Sequence, residues 1–277
     1  MDLAVPLADA AAALPVGQLL PIGEEEIGRT LGEDWAFVYR NREYLLWGTV
    51  VTILLTLTSI VLGFFAGFPA GAIETYGSGY SQAFVQKFGV LLRGTPILVI
   101  MIITYFVLPY EIVLVAIEAG LGALDFVLGP TPISASVDIP GAFIAATIAL
   151  GFRSAAYQSQ IFRGTLQSID DGQMEAARSI GMSRLEAIRH VIVPQALRRS
   201  VPGFQNEFTI VLKDTSIAFA IGLGELLKRS EDLFTQQTTA ILEIIIFISL
   251  IYFVLTITTN RTLDYVSNRF AIPGESS

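Results

Sequence analysis

Apolar residues in this chain gather in long runs separated by short polar breaks. The first run, Leu45 to Ala72, is long enough at 1.5 Å per residue to cross a hydrocarbon core of about 30 Å as one helix. Further runs cover Val85 to Leu108, Ile139 to Phe162, Phe204 to Leu223 and Ala240 to Asn260. The pattern therefore predicts an all-α polytopic membrane protein with about five transmembrane helices. The stretch from Glu111 to Leu128 is broken by Glu118, Gly120, Gly122 and Asp125 and reads as an interfacial or re-entrant segment. Pro69 and Pro96 predict kinks in the first and second spans. Gly63, Gly67 and Gly71 recur every four residues, which places them on one helix face where a neighbouring helix can approach closely; generic glycine enrichment of membrane helices is the alternative.

Composition agrees with this pattern. The chain is 53% hydrophobic and 15% charged, against about 25% charged in a soluble domain, so much of its surface does not face water. It has no cysteine and one histidine, His190, which excludes disulfides, thiolate catalysis and multi-histidine metal sites. A net charge of −8 argues against nucleic acid as a partner. Lysine is confined to Lys87, Lys213 and Lys228; an acidic, lysine-poor surface fits a salt-adapted source, or simple drift. Asp2 and Asp9 stand where a signal peptide would be basic, and Pro6 and Pro15 interrupt any helix there, so residues 1–43 read as an acidic lead-in and not as a signal peptide.

Basic residues orient the spans. Arg163, Arg178, Arg184, Arg189, Arg198 and Arg199 lie in one segment, which should be cytoplasmic, whereas residues 109–140 carry no basic side chain and should be external. Five spans then put the lead-in outside and the tail 261–277 inside. Arg40 and Arg42, and Lys228 with Arg229, run against this rule. The cytoplasmic segment predicts two short helices. Asp170 or Asp171 can cap the first, Gly181 can end it in a left-handed conformation, and Ser183 with Glu186 forms a capping-box pattern that opens the second. Pro194 stands where that second helix should end or bend. The product is a compact helix-turn-helix knob.

The knob also carries a resemblance. Glu175-Ala176-Ala177, then Gly181, then Val191, Val193 and Pro194 resemble the hallmark motif of binding-protein-dependent ABC importer permeases, with valines as mild departures. Leu92-Arg93-Gly94-Thr95-Pro96, Ala155-Ala156-Tyr157 with Phe162-Arg163-Gly164, and Lys213-Asp214-Thr215-Ser216 resemble the polar amino acid branch of that family. The likeness covers residues 44–260 and leaves out the first 43 residues and the 109–138 insert. Gln160 stands where a glutamate is usual, Thr165 where glycine is common, and Asp170-Asp171 where Pro-Lys is frequent.

The resemblance implies a permease domain over 44–260 whose coupling loop, 163–200, docks through Glu175, Ala176, Ala177, Gly181 and Pro194 on a separate ATPase. It also implies two ATPase subunits, a second permease copy or homologue, and an extracytoplasmic solute-binding protein. The setting would be the cell membrane, with lipid around the spans. No Gly-x-x-x-x-Gly-Lys phosphate loop occurs in the sequence. The chain is accordingly read as a transport subunit, not an enzyme, with no cofactor of its own and ATP bound by its partner. Arg153 sits midway along the third span, where a charge costs about 2.5 to 3.5 kcal/mol and needs a partner or a wet cavity. It either meets a solute carboxylate, with Tyr157, Gln158, Lys213 and Asp214 lining the pathway, or pairs with Glu207 or Asp214 to tie helices together. A permease for another small solute is the alternative within the family. An ion-gradient transporter is the alternative outside it, and an intramembrane enzyme is disfavoured because His190 lies in the knob.

Overall fold

The computed structural model describes residues 24–109, 113–115 and 141–270, and all regular structure among them is helical. Nearly all of the predicted re-entrant segment and of the 109–138 insert, and residues 1–23 and 271–277, lie outside the described residues. Two short helices, α1 (Glu24–Leu31) and α2 (Glu33–Arg40), occupy the lead-in. Then comes α3, Arg42–Tyr76, which contains the whole first predicted span and continues through Pro69.

The second predicted span is not one helix. α4 (Gly79–Gly94) and α5 (Ile97–Val107) meet at 108° across Thr95 and Pro96. Thr95 is extended, with φ −97° and ψ 132°, because a following proline ring excludes the α region. Pro96 also brings no N–H to continue the helix ladder. A kink was expected here; the chain breaks outright.

α6 (Gly141–Gln167) holds the described part of the third span, and α7 (Asp171–Ser179) follows. The fourth region also departs from expectation. α9 (Val193–Asp214) begins well before Phe204 and gives way to a 3-10 stretch, Thr215–Ile221. Ahead of it stand α8 (Arg184–Ala187) and a π-helical turn, Ile188–Ile192, so helical backbone runs unbroken through Pro194. That proline does not end the knob's second helix. It lies just beyond the π turn, at the start of α9, where a missing N–H is best tolerated. α10 (Leu226–Gln236), a 3-10 turn (Thr238–Ala240) and α11 (Ile241–Phe270) complete the order. Among the described residues, Arg42–Tyr76 and Thr238–Tyr265 are long and apolar enough to cross a membrane alone, and the bent α4–α5 pair qualifies if taken together.

The chain divides into two compact units. The first gathers the described parts of 1–55, 101–147 and 216–251. Here Gly48 admits the start of α10 so closely that a Cβ would stand 2.8 Å from Leu226 Cα. The Leu226 N–H donates to Thr52 Oγ1 at 3.3 Å. The buried Glu225 carboxylate accepts from the Leu227 and Lys228 N–H groups at 2.9 and 2.7 Å, satisfying amides that a helix start leaves free. Asp34 accepts from Gln237 and Thr239 at 2.7 and 2.8 Å and fastens the lead-in. Three of the four cations that run against the charge rule bond to groups near them. Lys228 pairs with Glu231 and Asp232 at 3.1 and 2.9 Å, Arg229 donates to the carbonyls of Gly224 and Tyr44, and Arg42 donates to that of Tyr39.

The second unit gathers 56–100, 148–215 and the described part of 252–277. Its spine is the contact of α3 with α6. A Cβ on Gly63 would stand 2.5 Å from Gln158 Nε2, one on Gly67 2.6 Å from the Ala155 carbonyl oxygen, and one on Gly71 2.7 Å from that of Ser159. The three glycines form one seam on which α6 lies. Gly151 on α6 returns the approach against Leu62 of α3. Below the seam Phe68 packs on Phe162 with ring centroids 4.1 Å apart. α11 is joined to α9 by Thr209 donating to Asn260 Oδ1 at 2.8 Å and Gln205 donating to Asp264 Oδ1 at 2.6 Å.

Candidate functional site

The knob forms as its sequence dictates. Asp170 Oδ1 accepts from the Gly172 N–H at 2.7 Å and caps α7. Gly181 takes φ +94°, and the Met182 N–H reaches back to the Ala177 carbonyl at 3.2 Å, a glycine-dependent helix ending. The reciprocal box is complete: the Ser183 N–H donates to Glu186 Oε2 at 2.8 Å and the Glu186 N–H to Ser183 Oγ at 3.3 Å. Ala177 and Ala187 are buried, as are Phe162, Leu166, Ile169, Ile192 and Ala196, which make an apolar root shared by α6, the π turn and α9. Phe68, Ala72 and Tyr76 of α3 pack on that root. The knob is thus a rigid continuation of α6 and α9.

Of the motif residues, Glu175, Ala176, Gly181 and Pro194 are exposed and Ala177 is buried. The first alanine presents a smooth surface, while the second fills the root. Motif reading missed Ile180 and Leu185, which stand 75% and 74% exposed on either side of the Gly181 turn. These apolar side chains stand open to solvent on a capped, charged turn. The available signal was simple: in so short a turn, apolar residues flanking the glycine cannot both reach the root.

The capping box makes a pH prediction. Hydrogen bonds from the Ser183 hydroxyl and then its N–H hold the Glu186 carboxyl below the ordinary glutamate range. Its folded value is depressed, so the box is intact above the ordinary glutamate pKa and is lost as pH falls through the folded value. Protection factors of the amides of residues 184–187, corrected for the fall of intrinsic exchange with pH, should drop on acidification, and Ser183→Ala should remove that drop. Protection that does not change on acidification would refute it.

In the body of the unit, Arg153 Nη1 forms an ion pair with Asp214 Oδ2, and the guanidinium lies 5.2 Å from the centre of the Tyr157 ring. Of the two partners expected for Arg153, the structure pairs it with Asp214. Glu207 is buried and bonded to Ser154, with Oε1 lacking a partner among the described residues. Gln158 turns away from Arg153 and donates to Ser154 Oγ at 3.0 Å and the Ile60 carbonyl at 3.4 Å. It also borders an apolar cleft of ≈ 230 Å³ lined by Ile60, Val61, Phe64, Phe65 and Phe204. Lys213 is exposed. Of the five residues assigned to a pathway, Arg153, Tyr157 and Asp214 come together, while Gln158 bonds to Ser154 and the Ile60 carbonyl.

Two further charges hold α6. Arg93 of α4 donates to the Ala156 carbonyl at 2.6 Å, a carbonyl of α6 with acceptor capacity to spare. Glu74, absent from the sequence-based site, is 3% exposed. It accepts from Ser159 Oγ at 3.2 Å, Gln160 Nε2 at 2.6 Å and Arg163 Nη1 at 3.3 Å. A carboxylate at 160 would face Glu74 at hydrogen-bond distance, which accounts for the glutamine that stands there. The signal for Glu74 was its register, three residues beyond Gly71 on the glycine face.

This architecture has counterparts. The model of binding-protein-dependent transport system inner membrane components matches residues 59–272. The chain is 30% identical over 239 residues to the glutamine transport system permease protein GlnP of Escherichia coli (strain K12), covering 86% of this chain and 98% of that one. It is 27% identical over 238 residues to the glutamate/aspartate import permease protein GltK of Escherichia coli O157:H7, covering 86% and 98%. Its backbone is similar to the crystal structure of an amino acid ABC transporter with histidines, with TM-score 0.67, 29% identity, and 84% and 96% of the two chains covered. A likeness of fold alone extends to an inward-facing MetNI methionine ABC transporter, with TM-score 0.58, 16% identity, and 82% and 98% covered.

Proposed function

The chain belongs to the binding-protein-dependent transport system inner membrane components, and from that premise we propose that it is the permease subunit of an ABC importer for polar amino acids. Glutamine and glutamate or aspartate are the solutes named for its relatives, and the branch motifs at Arg93, Tyr157 and Lys213-Asp214 support the same solute class. We assign five spans, with the knob in the cytoplasm, the lead-in outside, and α4–α5 as one broken span. A chain of this size does not enclose a pathway alone, so a second permease copy or homologue completes the bundle. Two ATPase subunits bind the ATP, this chain holds no cofactor, and a solute-binding protein delivers the cargo.

One observation carries the reading: a capped, rigid protrusion that exposes Glu175, Ala176, Ile180 and Leu185 and shares an apolar root with two long helices. When the ATPases close on nucleotide, a groove gripping the knob moves it, and the root passes that movement to α6 and α9. Glu175 supplies the charge that pairs with an ATPase arginine, while Ile180 and Leu185 supply the apolar contact.

The test is Glu175→Lys in the reconstituted complex. Glu175 is exposed, so stability should change by no more than about 0.5 kcal/mol. Uptake of labelled glutamine driven by ATP should fall by about tenfold or more, the loss expected for reversing a charge at a docked interface. Wild-type uptake in the variant would remove the case for docking through this residue. Uptake that persists without any ATPase would remove the importer reading itself.

A further inference from the structure

We propose that Glu74 is a positioning residue that locks the axial register of α3 on α6, so that both helices follow the knob as one body. The proposal rests on the coupling reading above and adds to it a residue outside the knob.

The seam of Gly63, Gly67 and Gly71 holds α3 on α6 by close packing. Such packing resists separation but has little directional character, and packed helices can slide along one another in small shear steps. Glu74 is different in kind. One buried carboxylate takes side-chain donors from Ser159, Gln160 and Arg163, all within about one turn of α6. A shift of α3 along α6 by even one residue, about 1.5 Å, would break all three. Charge-assisted hydrogen bonds are the strong ones and their geometry is specific. The single Ser159 proton is shared between Glu74 Oε1 and the Ala156 carbonyl, and that carbonyl receives Arg93 from α4, so the same turn of α6 fixes a second helix. The position is apt. Glu74 stands two residues before Tyr76, which packs on the apolar root, and Arg163 stands one residue after Phe162, which belongs to it. Movement arriving through that root meets the Glu74 cluster before it reaches the rest of the seam.

The geometry offers its own control. Glu74 Oε2 and Gln160 Nε2 are 2.6 Å apart, and glutamate and glutamine are isosteric. Exchanging them leaves a carboxylate–amide pair at the same place. It also keeps the carboxylate within reach of Arg163, three residues further along the same helix face. Glu74→Gln alone removes the charge that Arg163 faces.

The experiment uses the full complex with its ATPase. The chain has no cysteine, so Ile73→Cys on α3 and Gln167→Cys on α6, both exposed, can carry spin labels. Their distance is measured by pulsed EPR with and without ATP and vanadate. The parent should give one narrow distance that nucleotide does not change. Glu74→Gln should lose it, with a broadened or nucleotide-dependent distribution, and Glu74→Gln/Gln160→Glu should restore it. A narrow, unchanged distance in Glu74→Gln would overturn the proposal. So would a nucleotide-dependent distance in the parent, or misfolding of Glu74→Gln that the exchange fails to rescue. Failure of the coupling reading would show itself separately, as a complex that purifies with no ATPase; the nucleotide-free distances would still report on the register.

Discussion

Gly67→Leu is expected to abolish accumulation of folded protein in the membrane. The Cβ that any side chain adds at this position falls 2.6 Å from the Ala155 carbonyl oxygen and 3.1 Å from Ala155 Cα. Both are backbone atoms of a helix and cannot rotate aside. Overpacking a tight contact costs about 1 to 3 kcal/mol and sometimes more, and leucine adds further carbons where α6 already lies. The cost should follow what each glycine faces. Gly71→Ala meets the Ser159 carbonyl at 2.7 Å and should be nearly as damaging as Gly67→Ala. Gly63→Ala meets chiefly the amide end of Gln158 at 2.5 Å, a flexible group, and should be milder. Gly164→Ala meets nothing within 4 Å and should be neutral or stabilising by up to about 1 kcal/mol, since alanine is the better helix former. Thermal melting of the detergent-solubilised chains checks the order. Equal losses at all four positions, or tolerance of Gly67→Leu, would show that the seam does not depend on bare backbone.

How much of this was legible depended on whether the determinant was local. The knob could be read closely because caps and left-handed glycines act within four residues: Asp170, Gly181, Ser183 and Glu186 each do what their spacing dictates. The glycine seam could be read because a repeat of four fixes a face, although the spacing alone names no partner. The break at Thr95–Pro96 was visible as a proline but not in its size, because a local rule gives the conformation of Thr95 and not the angle between helices. Pro194 was read as an end or a bend of the knob's second helix. Its expected end does not occur: a π turn precedes it, and the knob's second helix runs on into α9. Hydropathy marks Arg42–Tyr76 and Thr238–Tyr265 clearly. It understates α6, which turns Ser154, Gln158 and Ser159 into buried contacts, so composition is a poor guide to its surroundings. Glu74 was the larger omission: a carboxylate at the end of an apolar run looks solvated until the helix beside it is known.

The pairing of Arg153 could not be settled from sequence either, since Asp214 lies 61 positions away and periodicity does not rotate one helix against another. The observed ion pair leads to the second large effect. The two side chains are 18% and 22% exposed, and Glu207 lies close by in the same contact. Arg153→Met should therefore leave the Asp214 carboxylate without its cation in a weakly solvated site beside Glu207. Removing one partner of a buried pair costs about 3 to 5 kcal/mol; the partial exposure favours the lower end, a fall in Tm of about 6 to 12 °C for a chain of this size. Adding Asp214→Asn should recover much of that loss, because the stranded charge goes with it and an amide can still hydrogen-bond. A solute-binding arginine would behave otherwise. Arg153→Met would then melt with the parent and lose solute affinity, and Asp214→Asn would rescue nothing. Thermal melting of the two single variants and the double variant, read as a cycle beside solute uptake, separates the two roles. A single variant as stable as the parent, or a double variant no better than Arg153→Met, would show that the Arg153–Asp214 pair does not hold α6 to α9.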